Sequence, residues 1–283
     1  TDHELKKEPI LYVVATPIGN LDDMSGRAVN IMAISDFIIA EDTRKARILL
    51  NKFNISKKRV VSFFEGNEKE KISGIVKMVK NAECSSLISE AGTPCISDPG
   101  YRLVKTLRDD GIKVVPVPGP CAAIAALSAS GIASDRFSFE GYLPKGEKKL
   151  EKFLSGLENE ERTLLFYESP RRIQKSLAVM IKVFGSRKAC LFREMTKIFE
   201  ESIFGTLEEI RRKVSEPVRG EVTLVVAPPE KKRMWDIDFG RAVQVIQEET
   251  GISKGRAAKL AAKITGAKKR DIYKEALKEN EIR

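Results

Sequence analysis

The chain has a single histidine, His3, which sits in the polar N-terminal stretch TDHELKKEP and outside the segments expected to pack. A Ser-His-Asp triad, a Cys-His pair or a histidine-based zinc site cannot then be assembled from the folded body, and no metal site is expected. The four cysteines, Cys84, Cys95, Cys121 and Cys190, are scattered without a C-x-x-C pair. That usage reads as reduced thiols in a cytoplasmic protein. No apolar run is long enough to span a bilayer, and no signal peptide is expected ahead of the first strand, so no membrane partner is expected. G-x-G-x-x-G is absent, and GYLPKGE has the glycine spacing of a P-loop but carries Glu147 where the phosphate-binding lysine must stand. Dehydrogenases and NTPases of the usual kinds are therefore not expected.

What is present is an ordinary globular composition over 283 residues, 42% hydrophobic and 32% charged, enough to bury a sizeable core. The formal net charge is +10, which is compatible with a polyanionic partner such as nucleic acid. Residues 1–119 alternate short β-branched runs (LYVVATP, DFIIAED, VVSFF, SSLISEA, KVVPVP) with amphipathic segments. The fold class is α/β: this alternation predicts a parallel or mixed sheet with helices on both faces. Residues 120–228 open with the small-residue helix CAAIAALSASG and pass through a looser stretch to GYLPKGEKK. Strands follow at RTLLFYE, KACLFRE, ESIFGTL and EVTLVVA. Their short links predict an α+β domain with more antiparallel pairing.

After APPEKKRMWD, residues 229–283 read as a helical module with 14 lysines and arginines against 9 acids, a net +5. Ala257, Leu260, Ala261 and Ile264 are expected to form one apolar stripe, with Ser253 as N-cap and Gly266 as stop. Arg256, Lys259 and Lys263 share another face. That face is either a solvated surface or the contact of a helix-turn-helix-like module with RNA. Trp235 either anchors the linker or stacks on a base.

Three loops fall at one expected sheet edge, the edge where open α/β sheets bind ligands. They are TPIGNLDD, with Pro17 and Gly19, then AGTPCISDPG, and VPGPCAA. Each puts glycine and proline where backbone must pass close to a ligand.

Eight strings in order, VVATPIGNLDD, AEDTR, EAGTPCISDPGYRLV, VVPVPGPCAAIAALSASG, FEGYLP, FYESPRR, REMTK and RGEVTLVV, resemble the signature set of the tetrapyrrole methylase superfamily. Within it they are similar to the branch that methylates a cytidine 2′-hydroxyl in 16S rRNA of the small ribosomal subunit. The trailing SKGRAAKLAAKITGAKKRDIYKEAL is similar to that branch's C-terminal module. The resemblance implies two α/β domains enclosing S-adenosylmethionine in a cleft, in a homodimer. It further implies cofactor contacts from Ala91, Gly92, Thr93 and Ile96, from Pro118, Cys121 and Ala122, and from Tyr167, Leu191, Glu221 and Val222. The superfamily more often has an acid where this chain has Thr93, which argues against a tetrapyrrole substrate. A relative that methylates a tetrapyrrole or a protein side chain, or a non-catalytic RNA-binding assembly factor, are the alternatives.

Methyl transfer to a hydroxyl requires that its proton be managed, and without a usable histidine the candidates are carboxylates or a lysine. Asp98 is the first choice, with Glu41 second. Asp98 equally suits the N-cap of the helix that follows. Asp42 could cap a helix and pair with Arg44, or Arg44 could hold an RNA phosphate. Arg171, Arg172 and Lys197 are further RNA candidates, each with an ordinary surface or structural alternative, as is Glu168 as an acid.

Overall fold

A computed structural model describes residues 8–64, 66–214, 220–230 and 238–278. His3 and Trp235 lie outside the described residues. The chain divides between Pro228 and Pro229 into two compact units.

The first unit carries two five-stranded sheets. In the first, β1 (Ile10–Val14), β2 (Phe37–Ala40), β3 (Arg59–Ser62), β4 (Cys84–Ile88) and β5 (Lys113–Val117) pair in the order β3-β2-β4-β1-β5. Every pairing is parallel. The crossovers carry α1 (Gly26–Ile34), α2 (Thr43–Lys52), α3 (Glu68–Lys80) and α4 (Tyr101–Asp109). Alternate residues of one strand feed opposite cores. Ile38 and Ala40 pack with Ala28, Met32, Ala46 and Leu50 from α1 and α2. Phe37 and Ile39 pack with Ile75, Val79, Leu103 and Leu107 from α3 and α4. A strand buried on both faces must be apolar throughout, which is why FIIA shows no alternation.

Pro116 lies in β5, an edge strand paired only with β1, where a missing N–H costs no ladder bond. Helix α5 (Ala122–Ala129) then leads to the second sheet. That sheet runs β6 (Phe137–Tyr142), β7 (Thr163–Glu168), β10 (Val222–Val226), β8 (Lys188–Arg193), β9 (Glu201–Thr206) in spatial order. The β6–β7 pair is parallel and the rest antiparallel. Helices α6 (Glu147–Ser155), α7 (Ile173–Phe184) and α8 (Leu207–Lys213) cover one face, and α5 covers the other with Ala126 and Leu127. Strand β6 and helix α6 fall in the stretch that reads as loose from sequence. The bulge between Phe139 and Gly141 breaks the strand's period, which explains the weak signal.

The second unit consists of α9 (Phe239–Thr250), α10 (Lys254–Thr265) and α11 (Lys269–Lys278) around Val243, Ala257, Ala258, Ala261, Ile272 and Ala276. The buried stripe on α10 differs from the expected one. Ala257 and Ala261 are buried, but Leu260 and Ile264 are 42% and 62% exposed. Alanines let the helices approach closely, and that contact selects the Ala257–Ala258–Ala261 face over the bulkier one. Ser253 and Gly266 bound α10, and Gly266 adopts the left-handed conformation. Among the described residues no helix is long and apolar enough to cross a membrane.

Candidate active site

A cavity of about 700 Å³ opens beyond the carboxyl ends of β1, β2, β4 and β5, and residues of the second sheet line its other side. The order β3-β2-β4-β1-β5 makes the chain reverse direction around β4 and β1, and a crevice opens at such a reversal. Pro17 and Gly19 after β1, Glu41 after β2, and Ala91, Gly92, Thr93, Ile96 and Asp98 after β4 all line it. Cys121 and Ala122 line it ahead of and at the start of α5, and Tyr167, Lys197, Glu221 and Val222 line it from the second sheet.

The long loop after β4 is tied down by short-range geometry. Gly92, at φ +82°, exchanges two backbone hydrogen bonds with Thr16, of 2.8 and 3.0 Å. The Thr93 hydroxyl donates to the Pro120 carbonyl at 3.0 Å, linking this loop to the one after β5. A carboxylate at position 93 could not donate that bond. Six non-glycine residues among those described have positive φ, and four of them fall in two loops. Cys95 and Ser97 are in the loop after β4, and Glu194 and Thr196 are in the loop after β8. Each such residue costs about 1–3 kcal/mol, a strain tolerated only where the surroundings fix it.

Asp98 lines the cavity and does not cap α4. Its N-cap is Gly100, and no side chain bonds there. Burial raises the Asp98 carboxyl to about 6, and the charge of Glu41 adds to the rise. Burial also lifts the Cys95 thiol to about 11, with Asp98 contributing. Asp42, by contrast, caps α2. It accepts from the backbone N–H of Arg44 at 2.7 Å and of Lys45 at 3.3 Å, and those bonds hold its carboxyl below the usual range.

Two further groups fix the far wall. The Tyr167 hydroxyl accepts from the Ala123 N–H at 3.1 Å, satisfying an orphan donor in the first turn of α5. Burial pushes its own ionisation well above the ordinary tyrosine range. The Lys197 ammonium donates to Glu194 Oε1 at 2.7 Å and to Glu221 Oε2 at 3.2 Å. Burial lowers Lys197, but the two carboxylates more than offset it and hold the ammonium above its ordinary value.

Glu194 itself was not singled out from sequence. Its carboxylate occupies the space beside Gly220, where a Cβ would lie 2.2 Å from Glu194 Cδ. From there it also accepts from the Glu221 N–H at 3.2 Å. The stem of Lys197 lies over Gly19, where a Cβ would be 2.6 Å from Lys197 Cγ. Asn20 N–H donates to Thr196 Oγ1 at 3.0 Å. The loops after β1 and β8 are thus clasped together across the cavity.

The remaining candidates lie elsewhere. Leu191 is 1% exposed and packs in the core of the second sheet, paired with Leu224. Pro118 is exposed between β5 and α5 and does not line the cavity. Glu168 is buried and pairs with Arg172 at 2.9 Å, while Arg172 also donates to the Leu143 and Pro144 carbonyls. Arg172 is thereby committed to the fold. Arg171 and Arg44 are exposed at the surface, as are Arg256, Lys259 and Lys263 on α10. Sequence reasoning missed Ser89, Glu90, Tyr142 and the α2 residues Lys45, Ile48, Leu49 and Lys52, all of which line the cavity. The α2 set is spaced i, i+3, i+4, i+7, a signal that was readable.

Residues 10–211 match the family model for tetrapyrrole (corrin/porphyrin) methylases, and residues 240–280 match the model of the RsmI C-terminal HTH domain. The chain belongs to the tetrapyrrole methylase family. It is 43% identical over 274 residues to the ribosomal RNA small subunit methyltransferase I of Mesorhizobium japonicum, covering 95% of this chain and 92% of that protein. It is 44% identical over 275 residues to the protein of the same name from Haemophilus influenzae, covering 95% and 96%. Among solved structures, uroporphyrin-III-C-methyltransferase from Thermus thermophilus superposes with a TM-score of 0.56 at 16% identity, covering 77% of this chain and 94% of that one. A diphthine synthase superposes at 0.59 and 14%, covering 77% and 89%. These two structures show the common fold.

Proposed function

We propose that this methylase family member transfers a methyl group from S-adenosylmethionine to the ribose 2′-hydroxyl of a cytidine in 16S rRNA. The observation that carries the chemistry is Asp98, a cavity-lining carboxyl raised to about 6. The relatives' names supply the substrate class.

The cavity fits the cofactor. Its volume is in the range of small-molecule sites. Its floor is backbone with small side chains at Ala91, Gly92 and Ala122, and peptide groups there can pair with an adenine edge and an amino-acid carboxylate. Bound there, the cofactor supplies an electrophilic methyl group on a sulfonium. The chain's part is to align the hydroxyl and take its proton. A carboxylate that titrates near 6 is ionised at neutral pH, yet basic enough to accept that proton as the oxygen attacks. Burial, with the charge of Glu41 adding to it, keeps it that basic, and Lys197 and Glu221 close the opposite rim.

We further infer a homodimer working in the cytoplasm, with residues 1–119 and 120–228 as the two cleft domains and 229–283 as an RNA-contacting module. Ile198 and Phe199, 94% and 74% exposed after β8, offer apolar surface that a second copy would cover. The four cysteines are free thiols, as a reducing compartment requires. The test is methyl transfer from labelled cofactor to naked 16S rRNA and to small subunits, with nucleoside analysis of the product. Label in a 2′-O-methylcytidine supports the reading. Cofactor binding without transfer to either substrate would overturn it.

A further inference from the structure

Residues 43–64 contain seven lysines and arginines and no aspartate or glutamate, a net +7 in 22 residues. The C-terminal 55 residues reach only +5. Helix α2 carries Arg44, Lys45, Arg47 and Lys52 of that set. It is anchored by Ala46 and Leu50, which are buried against the first sheet. A second face, Lys45, Ile48, Leu49 and Lys52, lines the cavity. Ile48 is 61% exposed and the Arg44 side chain 86% exposed; Arg47 and Lys52 are also exposed. The helix therefore presents cations along and beside one rim of the cavity, with an uncovered aliphatic side chain between them.

Two of the four cations have carboxylate neighbours, Arg44 in Asp42 at 3.5 Å and Lys45 in Glu90. Arg47 and Lys52 are exposed, and Ile48 stands uncovered among them. A polyanion that carries flat apolar faces would match both the open charge and the aliphatic surface. Lys45 and Lys52 are seven residues apart, about 10 Å along the axis, a span that meets more than one phosphate of an extended strand. Lys45 is held by Glu90 at the cavity wall, so it marks the inner end of the track. Lys52 marks the outer end.

We propose that α2 is the substrate-side wall of the active site, a basic track for the RNA strand flanking the target nucleotide, with Ile48 against the nucleotide presented to the cavity. The inference rests on the proposed rRNA methyl transfer and adds to it the surface that receives the substrate. Unpaired RNA suits such a surface, since its bases are splayed and its backbone is open to cations.

The test uses the full chain with Arg47→Gln and Lys52→Gln combined, and Ile48→Ala alone. Binding of an unmethylated 16S rRNA transcript is followed across a salt series, and cofactor affinity is measured separately by calorimetry without RNA. Each phosphate contact removed lowers the salt slope by about 1. The double variant should lose about two units of slope and raise the KM for RNA about tenfold or more. Its cofactor affinity should stay within about twofold. Ile48→Ala should weaken RNA binding about threefold to tenfold with no change of slope, because it removes apolar contact and no charge. RNA affinity and slope unchanged in the double variant, with cofactor binding intact, would overturn the proposal. So would a loss of binding to an acidic peptide of equal charge that matches the loss for RNA. A wild-type chain that binds the transcript through α2 but transfers no methyl group to it would overturn the reaction and leave the track standing.

Discussion

The loops that follow β1, β4 and β5 meet the cavity with glycine, proline, alanine and backbone polar groups, whereas β6, β7, β8 and β10 meet it with Tyr142, Tyr167, Lys197 and Glu221. The first wall is largely main chain, with Asp98 its reactive side chain, and the second is made of side chains. Main chain can be brought close only by residues that lack bulk or fix φ, so that wall is written in short recognisable strings. Side chains need only a strand to stand on, and many sequences provide one. The first wall is held mainly by backbone bonds such as the pair between Gly92 and Thr16, and the second depends on side-chain bonds that single substitutions can remove.

The largest effect expected is on the first wall. Asp98→Asn should lower turnover by about 10² to 10⁴ while leaving cofactor affinity nearly unchanged, as removal of a general base does. The wild-type rate should rise with pH through about 6, set by the half-buried carboxyl and its neighbour Glu41, and the variant should lose that limb. Stability gives an independent sign. The folded value is raised above the ordinary aspartate value, so Asp98 favours folding when protonated and that contribution is lost as pH rises through about 6. Above that pH, Asp98→Asn should be at least as stable as wild type, by about 1 kcal/mol once partial solvent exposure is allowed for. A capping role would give the opposite sign, a loss of about 1 kcal/mol. Rate profiles and thermal unfolding at two pH values measure both.

Next comes Gly92→Val. Gly92 is at φ +82°, and its Cβ direction points at Ile18 and the Pro120 carbonyl, 3.4 and 3.7 Å away. The space is ordinary van der Waals contact, so the penalty comes mainly from the backbone, at about 1–3 kcal/mol for a β-branched residue. Strain there shifts the paired Thr16 and the wall with it. Cofactor affinity should fall about tenfold to a hundredfold by calorimetry, and binding as tight as wild type would mean the loop does not set the pocket.

The same contrast explains what could be read before the fold was known. The parallel sheet was legible because doubly covered strands such as FIIA are apolar without interruption. The loop residues of the main-chain wall were legible because glycine and proline recur there for steric reasons. Leu191 and Pro118 lie off the cavity. On β8 only the alternation tells inward from outward, and Leu191 falls on the face packed against α7 and α8. Leu260 and Ile264 illustrate a different loss: periodicity finds an apolar stripe, but close alanine packing decides which stripe is buried. Glu194 lies in the string REMTK and Gly220 in RGEVTLVV, but neither string shows that the carboxylate of one fills the space beside the other, 26 residues further along the chain, because only the folded register creates that hole.

The side-chain wall should break more gently. Glu194→Ala removes the acceptor of both Lys197 Nζ and the Glu221 N–H and frees Lys197 from its place over Gly19. A charged hydrogen bond of this kind contributes about 1.5–3 kcal/mol, and part of that is recovered by Glu221. Cofactor affinity should fall about tenfold, with a smaller change in turnover. Lys197→Ala in the Glu194→Ala background should add little, because both substitutions open the same clasp. Additive effects in that double-mutant cycle would show that the clasp does not link them.

The smallest effect expected is Tyr167→Phe, and it isolates one bond. The ring stays where it is, held edge-on by Phe139 with centroids 4.9 Å apart and by Tyr142 at 5.5 Å. What is lost is the acceptor for the Ala123 N–H, one of the first-turn donors of α5 that no helical carbonyl can reach. An unsatisfied half-buried donor costs about 1 kcal/mol, so the unfolding midpoint should drop by a few degrees and cofactor affinity by about fivefold. The two losses have different origins. If water reaches the Ala123 N–H in the variant, stability recovers, but the hydroxyl's fixed position at the cavity wall does not. Affinity lost with stability kept would then show that the side-chain wall holds the ligand by placement and contributes little to the fold, the reverse of what Gly92→Val should reveal for the main-chain wall.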